Sequence, residues 1–167
     1  MSQALHDLLT RQVARFTDRK ADWDAFADAR VEGYRRAQHR FVGSGASGKA
    51  DASVIPADHF TLSVMFVPPG QGNAAHTHEV EEVFFILRGK VMVFFEDGAG
   101  HRVEAVLGDW DCVSAPANVI HGFVNVGLEP AYLQVMLGKA HPDLMTYADA
   151  SLQQRRDAHL QPDRRDA

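Results

Sequence analysis

The fold turns on the stretch HTHEVEEVFFILRGKVMVFFED (76–97). Val, Phe, Ile and Leu crowd into two short runs, EVFFILRG and KVMVFFED, and each run closes on a glycine or an acidic turn signal. That composition is the one β-strands favour. The texture continues in both directions: HFTLSVMFV opens it at His59, and HRVEAVLG, CVSAP, HGFVNVG and AYLQVMLG carry it to Gly138. No interval between these runs leaves room for a crossover helix. The strands are therefore expected to pair antiparallel, in a sandwich, jelly roll or barrel. EDGAGH (96–101) reads as a tight hairpin tip.

Outside this block the pattern changes. Leu5, Leu8, Leu9, Val13 and Phe16 recur at a spacing near 3.6 and predict a short amphipathic helix. Further along, AQHRFVG (37–43) reads as a strand, and the small polar run GSGASGKADAS (43–53) as a mobile connection or long loop. After His141, DASLQQRRDAHL (149–160) predicts one terminal helix capped by Asp149 or Ser151, and QPDRRDA (161–167) is expected to fray. The expected organisation is an all-β barrel over 46–140, between an amino-terminal helix and arm (1–45) and a helical tail (141–167).

A chain of 167 residues, 46% apolar and 23% charged, matches one globular domain. No apolar run approaches a membrane span, and Asp7, Arg11, Arg15 and Asp18 interrupt the amino terminus, so neither a span nor a secretory signal is expected. A soluble, cytoplasmic protein is the expectation. The single cysteine, Cys112, excludes an intrachain disulfide and reads as a buried, inert thiol. Charge divides unevenly: residues 46–140 carry 5 Lys/Arg against 11 Asp/Glu, a net of −6. Such an acidic centre gives no footprint for a phosphate backbone, which argues against nucleic-acid binding. The basic cluster Arg35, Arg36 and Arg40 reads as solvated surface, and Trp23, Tyr34 and Trp110 as packing residues.

His76 and His78 stand two residues apart, which on a strand places both imidazoles on one face. Glu82, Phe84 and Ile86 keep the same parity on a regular strand, so a carboxylate would share an interior with apolar side chains. Burying an ionised carboxylate costs several kcal/mol unless it is paired or bound to a cation. A divalent metal meets that requirement. His121, after the turn in PANVIHGF, is placed to complete a group of three imidazoles and one carboxylate.

This arrangement resembles a known pattern. Gly70, five residues, His76-Thr77-His78, three residues, Glu82, six residues and Gly89 resemble the complete first motif of the cupin superfamily. Gly108-Asp109, Pro116, Asn118, His121 and Asn125 resemble its second motif, with seven residues between glycine and proline where the family has five, and asparagine where the family has glycine. Asparagine tolerates the left-handed conformation that such a turn demands. The two extra residues read as a bulge or a longer strand. The resemblance covers about residues 59–138 and implies a double-stranded β-helix, the jelly-roll cupin barrel, with His76, His78, Glu82 and His121 as metal ligands.

Such a donor set suits iron first, with manganese, nickel, zinc or copper as alternatives. A metal held by four protein groups keeps open positions for water, dioxygen or a small-molecule substrate. The expected function is a metal-dependent, dioxygenase-like oxidation of a small organic molecule. A metal-assisted isomerase, lyase or decarboxylase on the same site is the nearest rival, and a non-catalytic binding or regulatory barrel the next. Phe84, Ile86 and Phe123 either line an apolar substrate pocket or pack as core, while His59 and Gln134 are candidates to hydrogen-bond the substrate and Arg35, Arg36 or Arg40 to reach in from the amino-terminal arm and anchor it. Exposed sheet edges and the long amino-terminal arm suggest a homodimer.

Overall fold

A computed structural model describes residues 2–160. An exposed helix α1 (Ser2–Arg11) and a short-turn segment lead into strand β1 (Ala37–Val42). The barrel follows with β2 (Thr61–Val67), β3 (His76–Thr77), β4 (Glu82–Arg88), β5 (Val91–Glu96), β6 (Arg102–Leu107), β7 (Cys112–Ala115), β8 (Ile120–Asn125) and β9 (Ala131–Leu137). A short β10 (Thr146–Tyr147) and helix α2 (Ala150–Leu160) complete the described chain. Every paired strand runs antiparallel to its neighbour, in two five-stranded sheets ordered β1-β2-β9-β4-β7 and β10-β3-β8-β5-β6. This is the expected jelly-roll barrel.

Alternation decides what faces inward. Along β2, Thr61, Ser63, Met65 and Val67 are buried, and along β9 so are Ala131, Leu133, Val135 and Leu137, with the intervening side chains half-exposed. Ile86, Leu133, Val67 and Val91 are almost wholly removed from solvent, and Phe84 and Phe123 meet edge to face at 5.1 Å between centroids. Burial of each such side chain contributes about 2 kcal/mol. Two backbone features close the sheets together. Gly72 lies where a Cβ would stand 2.0 Å from the Phe123 carbonyl oxygen, so only glycine permits this approach. Asn118 adopts φ 64°, the left-handed conformation the turn before His121 requires.

Several expectations need correction. The regular strand anticipated through His76–Ile86 is broken: β3 pairs with β8 in one sheet, whereas β4 pairs with β7 and β9 in the other, and the chain bends at Glu79–Val80 to cross between them. The two extra residues of the second motif form a turn at Gly108–Asp111, in which Trp110 has φ 71°. Trp110 is 74% exposed and does not pack in the core, and Cys112 is exposed because β7 is a sheet edge. Of the two readings of 43–53, the long loop is the one found. Gly45 and Ala46 are buried in a 3-10 turn against the barrel mouth.

Helix α1 forms as expected, yet its apolar residues Leu5, Leu8 and Leu9 remain exposed, as do Val13 and Phe16 beyond it. At the other end Asp149 is the cap of α2, its carboxylate accepting the backbone N–H groups of Ser151 and Leu152. The stretch expected to fray, 161–167, lies outside the described residues. Among those described, no helix is long and apolar enough to cross a membrane.

The basic cluster is also not a solvated face. Arg36 is 2% exposed and makes a two-pronged ion pair with Asp28 at 3.0 Å for each prong. Asp28 further accepts the Ala74 N–H at 2.9 Å and the Tyr147 hydroxyl at 3.0 Å. Arg40, likewise buried, pairs with Asp22 and reaches Asp51 at 3.6 Å. These pairs tie the amino-terminal segment and β10 over the barrel mouth. Arg35 alone of the three is exposed, its guanidinium 5.1 Å from the centre of the Trp23 ring.

Candidate metal centre

The crossing between sheets is what assembles the site. His76 and His121 sit directly opposite one another in the β3–β8 pair, His78 follows at the exit of β3, and Glu82 enters at the start of β4 from the opposing sheet. One donor atom from each of the four lies within 4.8 Å of the others, and all four residues are buried. Glu82 Oε2 is 2.8 Å from His121 Nε2, 3.4 Å from His76 Nε2 and 3.4 Å from His78 Nε2. The structure thus brings together all four residues that the sequence singled out.

Hydrogen bonding behind the rings sets which nitrogen faces the centre. His76 Nδ1 is 2.8 Å from the Ala74 carbonyl oxygen, and His121 Nδ1 is 2.8 Å from that of Val119. A carbonyl only accepts, so each Nδ1 carries the proton and donates it. Each Nε2 then presents a lone pair inward. Two imidazole lone pairs converging on a carboxylate oxygen repel unless a positive charge stands among them. His78 adds to the requirement, since both of its ring nitrogens are buried without a hydrogen-bond partner. Buried polar atoms left in this way cost free energy, and a transition-metal ion bound to one of the two His78 nitrogens removes part of the deficit. The residues fit a metal on these grounds.

The same geometry shapes the titration of the group. Burial pushes the Glu82 carboxyl up, but the electrostatic pull of His78, and the hydrogen bonds that His121 and His76 donate once their rings are doubly protonated, outweigh it and hold it well below the usual value. Burial lowers His76. Burial also acts to lower His121, but its hydrogen bond to Glu82 and that residue's charge raise it above the ordinary 6.5. Protons therefore compete for the centre most strongly at His121. Lowering the pH through the histidine range is expected to release metal, starting from the proton taken up by His121. Affinity should fall about tenfold per pH unit for each proton displaced. Metal titrations between pH 8 and pH 5 check this, and a pH-independent affinity would count against it.

A narrow cavity of about 20 Å³ adjoins the centre. His78 and Glu82 form one end, Phe84, Phe123, Met65, Val135 and Leu137 the apolar walls, and Gln38, Thr61, Ser63, Asn73 and Arg36 the polar remainder. Phe26, Ala46 and Met145, from three separate segments, also line it. Of the expected pocket residues, Phe84 and Phe123 line this cavity, while Ile86 is packed in the core. His59 is exposed in the bend before β2, and Gln134 projects from the outer face of β9, opposite in parity to buried Val135, so neither reaches the cavity. Arg40 stands behind it, donating from Nε to Gln38 Oε1 at 3.0 Å.

Arg36, one of the three arginines expected to be able to reach in, does line the cavity, whereas Gln38, Thr61 and Ser63 were not among the expected residues. The signal that could have found them is the inward parity of Thr61 and Ser63 on a strand otherwise apolar inside. A wider groove between Trp23, Arg30, Arg35, Pro68 and Pro69 lies on the exterior and includes none of the four candidate ligands. The chemistry assigns the site to the inner cavity.

Jelly-roll topology and a buried group of three histidines and one glutamate define the class. A family model of the cupin domain matches residues 63–137, so that stretch of the chain is similar to a cupin domain. Among solved structures, the polyketide cyclase RemF from Streptomyces resistomycificus is similar at 20% identity and a TM-score of 0.61, over 89% of this chain and 92% of that one. A cupin 2 domain-containing protein from Halorhodospira halophila aligns at 22% identity and a TM-score of 0.55, covering 74% and 77%. A variant of oxalate decarboxylase from Bacillus subtilis aligns at 15% identity and a TM-score of 0.56, covering 76% of this chain but 29% of that protein. At these identities the likeness is one of fold. No curated protein sequence matches the chain.

Proposed function

We propose that the protein is a metal-dependent enzyme acting on a small organic molecule, with His76, His78, Glu82 and His121 holding one divalent transition metal, iron before manganese, nickel, zinc or copper. The observation that carries this reading is the four buried donors, within 4.8 Å of one another, at the end of an apolar cavity. When bound, such a metal polarises a substrate oxygen or supports chemistry with dioxygen. The chain's own residues do the rest. Ala74 and Val119 carbonyls fix the imidazoles, and Phe84 and Phe123 shield the centre from water.

Oxygen-dependent oxidation is the reaction favoured here, since an imidazole-rich metal beside phenylalanine side chains suits dioxygen chemistry. A non-oxidative reaction, such as a cyclisation, isomerisation or decarboxylation, is the second reading. It is supported by the similarity in fold, over nearly the whole of both chains, to a structure described as a polyketide cyclase. Elemental analysis of protein purified without chelator or affinity-tag nickel, followed by oxygen-electrode assays with phenols and diketones, separates the two. Stoichiometric iron with oxygen uptake supports the first, metal with turnover but no uptake the second. Metal held without turnover of any candidate indicates a binding barrel.

We further propose a homodimer. The exposed Leu5, Leu8 and Leu9 of α1 and the exposed Val103 and Val106 of β6 are apolar surface of the kind a second copy covers, and β6 is a sheet edge. Light scattering is expected to give twice the chain mass of 18.4 kDa. A monomeric mass across micromolar concentrations would remove this proposal.

A further inference from the structure

The metal cavity, as it stands, admits no organic molecule. Its volume of about 20 Å³ is room for one water, and all four candidate ligands are buried. The walls are hydrogen-bonded strands, and beyond the rung of Ser63, Val135 and Phe84 the interior is filled by Ile86, Leu133 and Val67. A route to the centre therefore runs through the segments between strands, which line the cavity with Phe26, Arg36, Ala46, Asn73 and Met145. Most of these are tied down. Arg36 is held by Asp28, and Asn73 exchanges hydrogen bonds with the Phe123 backbone at 2.7 and 3.1 Å. The Met145 carbonyl accepts from Arg156 at 2.7 Å, and Ala46 offers no more than a methyl group.

Phe26 differs from the others. With Ala46 and Met145 it also lines a second hollow, whose other walls include the half-exposed Ser47, Leu144 and Arg156. These three residues thus stand between the metal cavity and that hollow, and the Phe26 ring is the bulkiest part of the partition. The loop that carries it is pinned at both ends. At one end Asp22 pairs with Arg40 and Lys49 and exchanges two backbone hydrogen bonds with Gln38, while Lys49 also holds the Asp24 carbonyl. At the other, Asp28 is bound by Arg36 and Tyr147. Between these anchors the backbone N–H groups of Ala25, Phe26 and Ala27 make no hydrogen bond among the described residues. Packing and the Arg36 guanidinium, 4.5 Å from the ring centre, are what hold the side chain. Segments with few backbone hydrogen bonds are the ones that open at least cost.

We propose that Phe26 is the gate of the metal cavity: its ring swings out of the partition, between fixed points at Asp24 and Asp28, before any molecule larger than water reaches His76, His78, Glu82 and His121. Phe26 is then a residue that determines specificity by size, since what enters passes where the ring stood, beside Ala46 and Met145. This rests on the metal-enzyme reading above for the metal, and the motion itself needs none.

The test places a thiol behind the gate. Ser63→Cys in a Cys112→Ser background leaves one cysteine in the chain, on the cavity wall, and its labelling by iodoacetamide is followed on the metal-free full chain in native buffer. Adding Phe26→Ala is expected to speed labelling at least about tenfold, with Phe26→Leu, a milder truncation that carries the test where the alanine variant does not fold, falling between. Leu133→Ala removes comparable packing from the core away from the partition and should change the rate less than about twofold, which separates gating from general loosening. In zinc-loaded protein with Ser63 and Cys112 intact, Phe26→Ala should speed zinc uptake and zinc transfer to excess EDTA by the same factor, leaving the dissociation constant unchanged, because a gate alters rates and not the equilibrium. Labelling unaffected by either Phe26 substitution, equal acceleration by Leu133→Ala, or a zinc dissociation constant that moves with the rates overturns the inference. Absence of stoichiometric zinc instead counts against the metal centre, while the thiol rates still judge Phe26.

Discussion

Replacing His121 by alanine is expected to lower metal affinity at least about 100-fold while leaving the barrel folded. The loss follows from removing the imidazole closest to Glu82, at 2.8 Å, from a group of four. Retention of the fold follows because the β8 backbone keeps its pairing with β3 and β5 and its apolar neighbour Phe123 is untouched. His76→Ala should behave alike. Metal stoichiometry after desalting, paired with circular dichroism, gives the readout. A variant that retains one equivalent of metal would show the ligand assignment to be wrong.

The second large effect concerns stability. Asp28→Asn leaves Arg36 charged, buried and without its counter-ion, and breaking a buried pair on one side costs about 3–5 kcal/mol. For a chain of this size that corresponds to a fall in melting temperature of about 10 °C. Converting Arg36 to Met in the same chain is expected to restore part of the loss, since no uncompensated charge remains. Wild-type stability should share the dependence in its response to acid. Burial acts to raise the Asp28 carboxyl, but the Arg36 charge and its hydrogen bonds outweigh burial, and the group lies below its ordinary 3.8. A depressed carboxylate contributes stability that is present above the unfolded value and is lost as pH falls through the folded one. Asp28→Asn should therefore flatten the acid limb of the stability curve. A melting temperature within 2 °C of wild type, roughly what 1 kcal/mol gives, would contradict this role.

The strands and the metal group were legible because both rest on short-range patterns. Val, Phe and Leu alternate along β2, β4 and β9, and His76, His78 and Glu82 fall within seven residues. Even there the route was misread. Parity on one strand suggested a shared face, whereas the chain changes sheets at Glu79–Val80 and Glu82 meets the histidines from across the barrel. What remained hidden depends on partners distant in sequence. Arg36 and Arg40 read as surface because nothing local shows that Asp28 and Asp22 neutralise them in the interior. Phe26 gained its meaning from Ala46 and Met145, neither of them near it in sequence. Trp110 and Cys112 read as core because aromatic and thiol side chains usually are, but they occupy a turn and an edge strand. His59 and Gln134 missed the cavity by a strand boundary and by one step of parity.

X-ray absorption at the metal edge, on protein carrying the metal it acquires in the cell, bears most directly on the central assignment. One ion per chain, coordinated by three imidazoles and one carboxylate in wild type and losing one imidazole or the ion altogether in His121→Ala, is the expected result. A spectrum free of imidazole scattering, or one unaltered by that substitution, would place the metal elsewhere and dissolve the proposed centre.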